Sequence, residues 1–275
     1  MEDTREAQSI LIVGGGNGIG SSIVRSILTL SPSTTLLVFD NDASAIEDLL
    51  TMAKSIKQSH RICSIVGDVT NKEDRLVCLK RCTEQGVDTL VYCAGTINPI
   101  ERLSDLDIDE VKTAYEINVF GCMAMVQICL KHLRRSRYHN PTNYAHGKIL
   151  ILSSACDADV TYHGWIPYCT TKAALTRFIA CLAHEEPTLF VQGVYPKLTR
   201  TKMPAEVIAG RYTEVMADHE IERFKVWSGM GDEMVEPPEW CGEAVAKLAL
   251  GLYEGGKSGE TKYYDEHIPK KITGT

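Results

Sequence analysis

The amino-acid sequence predicts an α/β fold built as a single doubly wound domain around a seven-stranded, mostly or wholly parallel sheet. Short apolar runs alternate with longer helical segments along the 275 residues, and this alternation is typical of parallel strands joined by right-handed crossovers. The short runs are apolar throughout, as in strands that helices cover on both faces. A glycine-rich loop joins the first strand to the first helix, which is the arrangement of the Rossmann dinucleotide-binding fold.

Each predicted element follows from its own stretch of sequence. Strands are predicted at 10–13, 35–39, 62–66, 89–93, 148–152, 189–194 and 261–264. Helices are predicted at 18–30, 43–57 and 72–85, as a pair within 104–137, from 168 onwards, and at 239–253. No linker or internal repeat interrupts the pattern, so residues 1–275 are predicted to form one dinucleotide-binding domain.

The segment 197–236 breaks the alternation. It contains no predicted strand, and it carries six large apolar side chains: Met203, Met216, Phe224, Trp227, Met230 and Met234. Long insertions in a compact domain are more often functional than plain connectors. We therefore expect residues 197–236 to form a lid over a substrate site.

Composition narrows the class of protein. A net charge of −7 argues against nucleic acid or an anionic membrane as partner, because phosphate binding needs clustered positive charge. The ten cysteines show neither a C-x-x-C pair nor a zinc-type spacing with histidine, so we expect free thiols in a reducing compartment and no metal site. The most apolar predicted helix, 119–130, is too short to cross a bilayer. A cytoplasmic protein is the expectation.

The glycine-rich loop runs from Gly14 to Gly20 and opens the first predicted helix. Gly14 permits a tight turn, Gly18 lets the backbone approach a pyrophosphate, and Gly20 allows close packing of the helix. The amide groups at the start of the helix would face the anion. Asn17 and Ile19 complete the predicted cofactor loop.

Asp40 ends the second predicted strand, twenty positions beyond Gly20. A carboxylate there accepts hydrogen bonds from the adenosine ribose and repels a 2′-phosphate. Asp42 adds negative charge, Asn17 is not basic, and no Arg or Lys stands close by in the sequence. The sequence therefore predicts NAD as cofactor, with NADP disfavoured, and tighter binding of NADPH than of NADH would overturn this prediction.

Three Tyr-x-x-x-Lys pairs occur in the chain: Tyr144/Lys148, Tyr168/Lys172 and Tyr253/Lys257. The first lies in a loop-like stretch, and the third precedes a pair of glycines that ends a helix. Only Tyr168 opens a helical stretch, in which residues four apart share a face. A phenol has a pKa of about 10, and a nearby ammonium favours the phenolate, so we expect Lys172 to lower the pKa of Tyr168.

With these residues in hand, the chain resembles the short-chain dehydrogenase/reductase family over nearly its whole length. The segment 164–174 is most similar to sepiapterin reductases and fungal benzil-reductase-like members. The resemblance implies that Tyr168 exchanges a proton with the substrate, Ser154 donates a hydrogen bond to the substrate oxygen, and Lys172 holds the ribose. It further implies that Asn118 supports a proton-relay water.

The resemblance also implies cofactor contacts beyond the glycine loop. Asp68 would contact adenine, with Val69 beside it. Ala94 and Gly95 would line the cofactor after the fourth strand. Thr201 would contact the carboxamide of the nicotinamide.

The chain departs from the family pattern at four points. Val13 stands where Thr is usual, Cys93 where Asn is usual, and Lys197 where Gly is usual. Ser154 precedes Tyr168 by fourteen positions, one more than usual. A one-residue bulge within 157–163 would absorb the difference, and Ser153 is the alternative to Ser154.

The expected function is NAD(H)-dependent interconversion of a ketone and a secondary alcohol. Tyr162, Trp165 and the lid residues indicate an apolar pocket for a bulky, aromatic or cyclic compound, although several of these side chains could instead fill the core of the lid. The alternative function is that of a catalytically weak NAD-binding regulator. The apolar helices at 119–130 and 173–182 pair between subunits in this family, which implies a homodimer or homotetramer.

Overall fold

The computed structural model describes residues 7–136, 147–253 and 255–267. Seven strands form one sheet in the order β3-β2-β1-β4-β5-β6-β7, and every neighbouring pair is parallel. The prediction of a seven-stranded, mostly or wholly parallel sheet is confirmed, and the sheet is wholly parallel. The strands are β1 Ser9–Val13, β2 Thr35–Asp40, β3 Ile62–Val66, β4 Thr89–Tyr92, β5 Lys148–Leu152, β6 Phe190–Tyr195 and β7 Thr261–Tyr263.

Ten α-helices are found in the described parts of the chain. They are α1 Gly18–Leu30, α2 Ala43–Ser55, α3 Lys72–Gln85, α4 Ile108–Tyr115, α5 Gly121–Leu133, α6 Ile166–Glu185, α7 Lys202–Ile208, α8 Asp218–Gly229, α9 Pro238–Leu250 and α10 Tyr264–His267. All predicted helices are present, with ends shifted by a few residues. Helices α7 and α8 lie in the segment 197–236, for which the sequence had predicted only the absence of strands.

Helices α4 and α5 form one continuous rod. A π-helical turn, Glu116–Phe120, joins them without a break, so the helical stretch Ile108–Leu133 has 26 residues. By length and composition it could cross a bilayer, and the expectation that the most apolar helix is too short was wrong. Core helices of water-soluble domains meet the same criterion.

The core lies on both faces of the sheet, because side chains alternate along each strand. Ile10 and Ile12 of β1 pack with the side chains of α1, α2 and α9. Leu11 and Val13 pack on the opposite face with α3, α5 and α6. All four are fully buried, which explains why β1 is apolar from Ile10 to Val13. Because all seven strands are parallel, their carboxyl ends lie at one edge of the sheet, where ligands bind in open α/β sheets.

The three Tyr-x-x-x-Lys pairs differ in their positions in the fold. Tyr253 follows the end of α9, and Tyr144 lies outside the described residues. Lys148 is the first residue of β5, at the amino edge of the sheet. Only Tyr168 and Lys172 share a helix, α6.

Candidate active site

The glycine loop is a backbone cradle in which side chains would not fit. Gly14 has φ +77° and Gly18 has φ +51°. A Cβ atom on Gly14 would lie 2.5 Å from the Ala94 nitrogen, and one on Gly20 would lie 1.9 Å from the Gly14 oxygen. Gly20 is thus required by the loop itself, because α1 packs directly against the Gly14 carbonyl. The exposed backbone and the helix start suit a dinucleotide pyrophosphate.

Asp40 fixes the shape of this loop. Its side chain is 9% exposed, and it accepts hydrogen bonds from the Gly16 amide at 2.7 Å and from the Asp42 amide at 3.0 Å. Asp42 in turn accepts a hydrogen bond from the Asn17 side chain at 3.1 Å. Two carboxylates therefore stand beside the loop, as the sequence predicts.

The remaining predicted cofactor residues lie at the ends of β3 and β4. Asp68 follows β3, and its carboxylate accepts hydrogen bonds from the amide and hydroxyl of Thr70 at 2.8 and 2.9 Å. Val69 beside it is buried. Ala94 donates its amide to the Val13 carbonyl at 3.1 Å, which ties the loop after β4 to the end of β1.

Asn118 lies in the π-helical turn and is fully buried. Its Oδ1 accepts a hydrogen bond from the Thr96 amide at 2.8 Å, and its Nδ2 donates to the Thr96 carbonyl at 2.9 Å and to the Thr171 hydroxyl at 3.0 Å. The Thr171 hydroxyl donates to the Tyr168 carbonyl at 2.8 Å. Asn118 therefore joins the loop after β4 to the helix that carries Tyr168. Single π-turns inside helices are frequent at functional sites.

Tyr168 and Lys172 are buried on one face of α6. The Lys172 ammonium lies 5.6 Å from the centre of the Tyr168 ring and donates a hydrogen bond to the Leu152 carbonyl at 3.1 Å. Gly95 makes room for it, since a Cβ atom there would lie 3.7 Å from the ammonium and 3.2 Å from Asn118 Oδ1. The structure thus brings Asn118, Tyr168 and Lys172 together.

Burial is the main cause of the pKa shifts of Tyr168 and Lys172. It raises the pKa of Tyr168 above the ordinary value of 10.0, and interaction with the Ser154 hydroxyl opposes that rise. Burial also lowers the pKa of Lys172 from 10.5 to about 8. Lys172 is not among the groups that shift the pKa of Tyr168, so the expectation that Lys172 brings this pKa down is wrong. Loss of hydration disfavours both charged forms, so the phenol is protonated at neutral pH.

Ser154 and Ser153 play different structural parts. The Ser154 hydroxyl accepts a hydrogen bond from the Cys156 amide at 3.2 Å and so begins the 3₁₀ turn Ala155–Asp157. Ser153 is 2% exposed, and its hydroxyl lies 3.0 Å from that of Thr176 on α6. Of the two, Ser154 is the serine whose hydroxyl interacts with Tyr168.

A partly buried network next to Ser154 was not predicted from the sequence. Asp157 accepts hydrogen bonds from the hydroxyls of Thr176 and Tyr195, each at 2.5 Å. It thereby ties the Ser154 turn to α6 and to the end of β6. Asp157 is three positions from Ser154, but its partners are far away in sequence, so no local pattern could have indicated this contact.

A cavity of about 480 Å³ connects these parts. Ser154, Tyr168 and Lys172 line one wall, and Ile19 of the glycine loop lines its cofactor end. Four aromatic side chains, Tyr162, Trp165, Phe224 and Trp227, also line the cavity and form its aromatic wall. The rings of Tyr162 and Trp165 have centroids 4.6 Å apart. Trp165 also meets Tyr168 edge-on at 5.8 Å, so the aromatic wall reaches the proposed proton donor.

Two contacts hold the segment 197–236 in place. One joins its two ends, and the other, called the latch below, joins α8 to the segment before α6. The Glu236 amide donates to the Leu198 carbonyl at 2.8 Å, which brings the two ends of the segment together. On α8, Glu220 lies 3.0 Å from Nδ1 of His163, which belongs to the segment before α6. Phe224 and Trp227 of α8 face the cavity. The aromatic side chains thus line the cavity rather than only a core within the segment.

The departures from the family pattern have local explanations. Val13 is fully buried in the core, and its carbonyl accepts the Cys93 amide at 2.8 Å. Burial raises the pKa of Cys93 to about 12, so the thiol is neutral. Lys197 forms an ion pair with Asp265 and lies 4.0 Å from Glu236. Its side chain is therefore drawn toward the end of β7.

Comparison with known proteins gives a consistent picture. The chain is 26% identical over 262 residues to an uncharacterized oxidoreductase of Saccharomyces cerevisiae, covering 94% of this chain and 95% of the relative. It is 25% identical over 266 residues to an (S)-benzoin-forming benzil reductase of the same yeast, covering 94% and 97%. The crystal structure of a yeast short chain dehydrogenase/reductase has the same fold, with a TM-score of 0.84 at 24% identity, covering 94% of this chain and 96% of that one.

A family model described as short chain dehydrogenase matches residues 8–211. These residues run from β1 to the beginning of the segment after α7, so the match includes the glycine loop, Asn118, Ser154, Tyr168 and Lys172. The chain belongs to the short-chain dehydrogenase family and is an oxidoreductase of that type.

Proposed function

We propose that this protein is an NAD(H)-dependent reductase that converts a ketone on a bulky, aromatic or cyclic small molecule into a secondary alcohol. The observation that carries the proposal is the shared cavity, in which Ser154, Tyr168 and Lys172 face an aromatic wall. When bound, the nicotinamide cofactor supplies the hydride. The chain's own residues bind the ketone, orient it and provide the proton.

Tyr168 is the proposed acid. Its hydroxyl carries a proton at neutral pH, since burial raises the pKa of the phenol. It donates this proton as negative charge develops on the substrate oxygen. Ser154 stabilises the same oxygen with a hydrogen bond as negative charge develops there. Lys172 stabilises the phenolate that remains, since its ammonium lies 5.6 Å from the ring centre. Asn118 keeps α6 in register with the loop after β4.

The aromatic wall supports an aromatic ketone or diketone as substrate. Flat rings stack on Tyr162, Trp165 and Phe224 with their apolar faces, while the reacting oxygen points to Ser154 and Tyr168. The similarity to a benzil reductase at 25% identity favours the same class of compound. The segment 197–236 acts as the lid that closes over it.

NAD is the proposed cofactor because Asp40 and Asp42 stand beside the glycine loop. Both carboxylates are held by hydrogen bonds, and they would repel a 2′-phosphate at that place. All ten cysteines are free thiols, which supports a reducing, cytoplasmic setting.

The test is an assay of NADH and NADPH consumption with benzil, quinones and pterins as oxidants. We expect turnover with NADH and an aromatic diketone. Tyr168→Phe should lower kcat at least about 10²-fold, the lower end of what general acid catalysis contributes, with unchanged NADH affinity. Tyr253→Phe, in the Tyr-x-x-x-Lys pair that follows α9, is the matched control and should retain full activity. Tight NADH binding by the wild type without turnover on any compound would favour a regulatory protein instead.

A further inference from the structure

Thr201, near the start of the lid, contacts the glycine loop. The Thr201 methyl carbon is 3.3 Å from the position that a Cβ atom on Gly18 would take. Helix α7 begins at the next residue, Lys202. Lys202 therefore directly follows a residue that contacts the glycine loop, although it is far from that loop in sequence.

Lys202 differs from the other basic residues in this part of the lid. Arg200 pairs with Asp232, and Arg211 pairs with Glu206 at 2.9 Å. Lys202 is exposed and forms no ion pair with a residue that the structure describes. Its charge acts on Asp42, beside the glycine loop. The pKa of Asp42 is lowered by hydrogen bonds from the Ala45 amide and the Asn17 side chain and, to a smaller extent, by the positive charge of Lys202.

The charges of the site call for such a cation. Asp40, Asp42 and Asp68 are all carboxylates around the cofactor groove. A dinucleotide brings two further negative charges on its pyrophosphate. Lysine is a compact point charge on a flexible stem, and it commonly binds phosphate groups.

We propose that Lys202 binds a phosphate group of the dinucleotide and so couples the lid to the bound cofactor. This inference rests on the proposed nicotinamide cofactor. Two phosphates have the required chemistry: the pyrophosphate, which NADH and NADPH share, and the 2′-phosphate, which only NADPH carries. The position of Thr201 over Gly18 and the two carboxylates at 40 and 42 favour the pyrophosphate.

The test is calorimetric titration of the full chain with NADH, NADPH, ADP-ribose and adenosine. Lys202→Gln should weaken NADH, NADPH and ADP-ribose alike by about tenfold, leave adenosine unchanged, and reduce the salt dependence of binding. Lys202→Arg should retain most of the affinity. Lys225→Gln, an exposed lysine of the same lid, is the control and should bind as the wild type does.

The outcomes separate cleanly. A loss for NADPH that is much larger than for NADH would identify the 2′-phosphate as the partner. Unchanged affinity of Lys202→Gln for every phosphate-bearing ligand, or an equal loss for adenosine, would overturn the inference while leaving the proposed reductase intact. Failure of the wild type to bind any dinucleotide would overturn both.

Discussion

Tyr168 and Lys172 share one face of α6, and both are removed from water. The sequence identified the pair through its helical spacing, which fixes the two side chains relative to each other. Spacing carries no information on burial, however, and burial decides the pKa of both groups. The sequence therefore predicts which residues meet, and the surrounding fold determines which of them is charged.

The pH dependence of the reduction rate should follow the titration of Lys172. Burial lowers its pKa to about 8, so the ammonium is present below that pH and is lost above it. Because the charged form stabilises the phenolate left on Tyr168, we expect kcat/KM for the ketone at saturating NADH to be level below about pH 8 and to fall above it. The measurement is a pH profile between 6 and about 10.

Two variants separate this effect from general instability. Lys172→Met should lower kcat/KM at every pH and remove its fall above about pH 8. Lys148 is a second buried lysine, with a pKa lowered to about 7, and it lies at the amino edge of the sheet. Lys148→Met should retain the fall of kcat/KM above about pH 8. A wild-type profile that stays level up to pH 9.5 would contradict the role given to Lys172.

The distant partners of the site residues could not be predicted at the residue scale. Lys202 acts on Asp42, although the sequence near Asp42 contains no basic residue. Asp157 meets Tyr195 across β6 in the same way. Local patterns identify residues on one element, whereas such contacts depend on how two elements pack.

At the scale of elements, the sequence best predicted the segments in which the backbone geometry or burial requires one type of residue. The apolar runs gave the strands, and the glycine loop gave the start of α1. The π-helical turn at Glu116–Phe120 was missed, because nothing in its composition distinguishes it from the α-helix on either side. Its effect is to place Asn118 toward Thr96 and Thr171.

The latch between Glu220 and His163 should control access of bulky substrates. The Glu220 carboxylate accepts hydrogen bonds from the Ala217 amide at 3.1 Å and the His163 amide at 3.2 Å. Glu220→Ala should therefore loosen α8, raise KM for an aromatic diketone several-fold and speed proteolysis within 209–217. NADH affinity should change little.

Glu222→Ala provides the matched control for the latch. Glu222 is on the same helix, but its side chain is 68% exposed and lies only 4.0 Å from Lys225. It should leave KM and the proteolysis rate unchanged. Equal effects of the two substitutions would show that α8 does not depend on the contact with His163.

At the scale of the molecule, the order of strands follows from the doubly wound chain. Strands β1 to β3 extend the sheet in one direction, and β4 to β7 extend it in the other. The site lies where the direction changes, between β1 and β4, as in other open α/β sheets. This much was predictable from the alternation of elements and the position of the glycine loop.

Exposed apolar side chains on the rod formed by α4, the π-helical turn and α5, and at the start of α6, suit the predicted homo-oligomer. Ile108 is 58% exposed, Phe120 is 50% exposed, and Ile166 at the start of α6 is 46% exposed. We expect the protein to sediment as a multiple of its 30.4 kDa chain. Phe120→Glu should shift it toward the monomer by placing a charge in the apolar contact. Leu76→Glu, at an equally exposed site on α3, should not. A wild-type monomer would contradict the oligomer.

The most direct measurement follows the transferred atom. The wild-type protein is incubated with benzil and NADH that carries deuterium at the transferable C4 position, and the alcohol product is analysed by mass spectrometry and NMR. The proposed reductase predicts one deuterium on the carbinol carbon of a single enantiomer, formed in proportion to the NADH consumed. Product without deuterium, or NADH oxidation without alcohol, would contradict it.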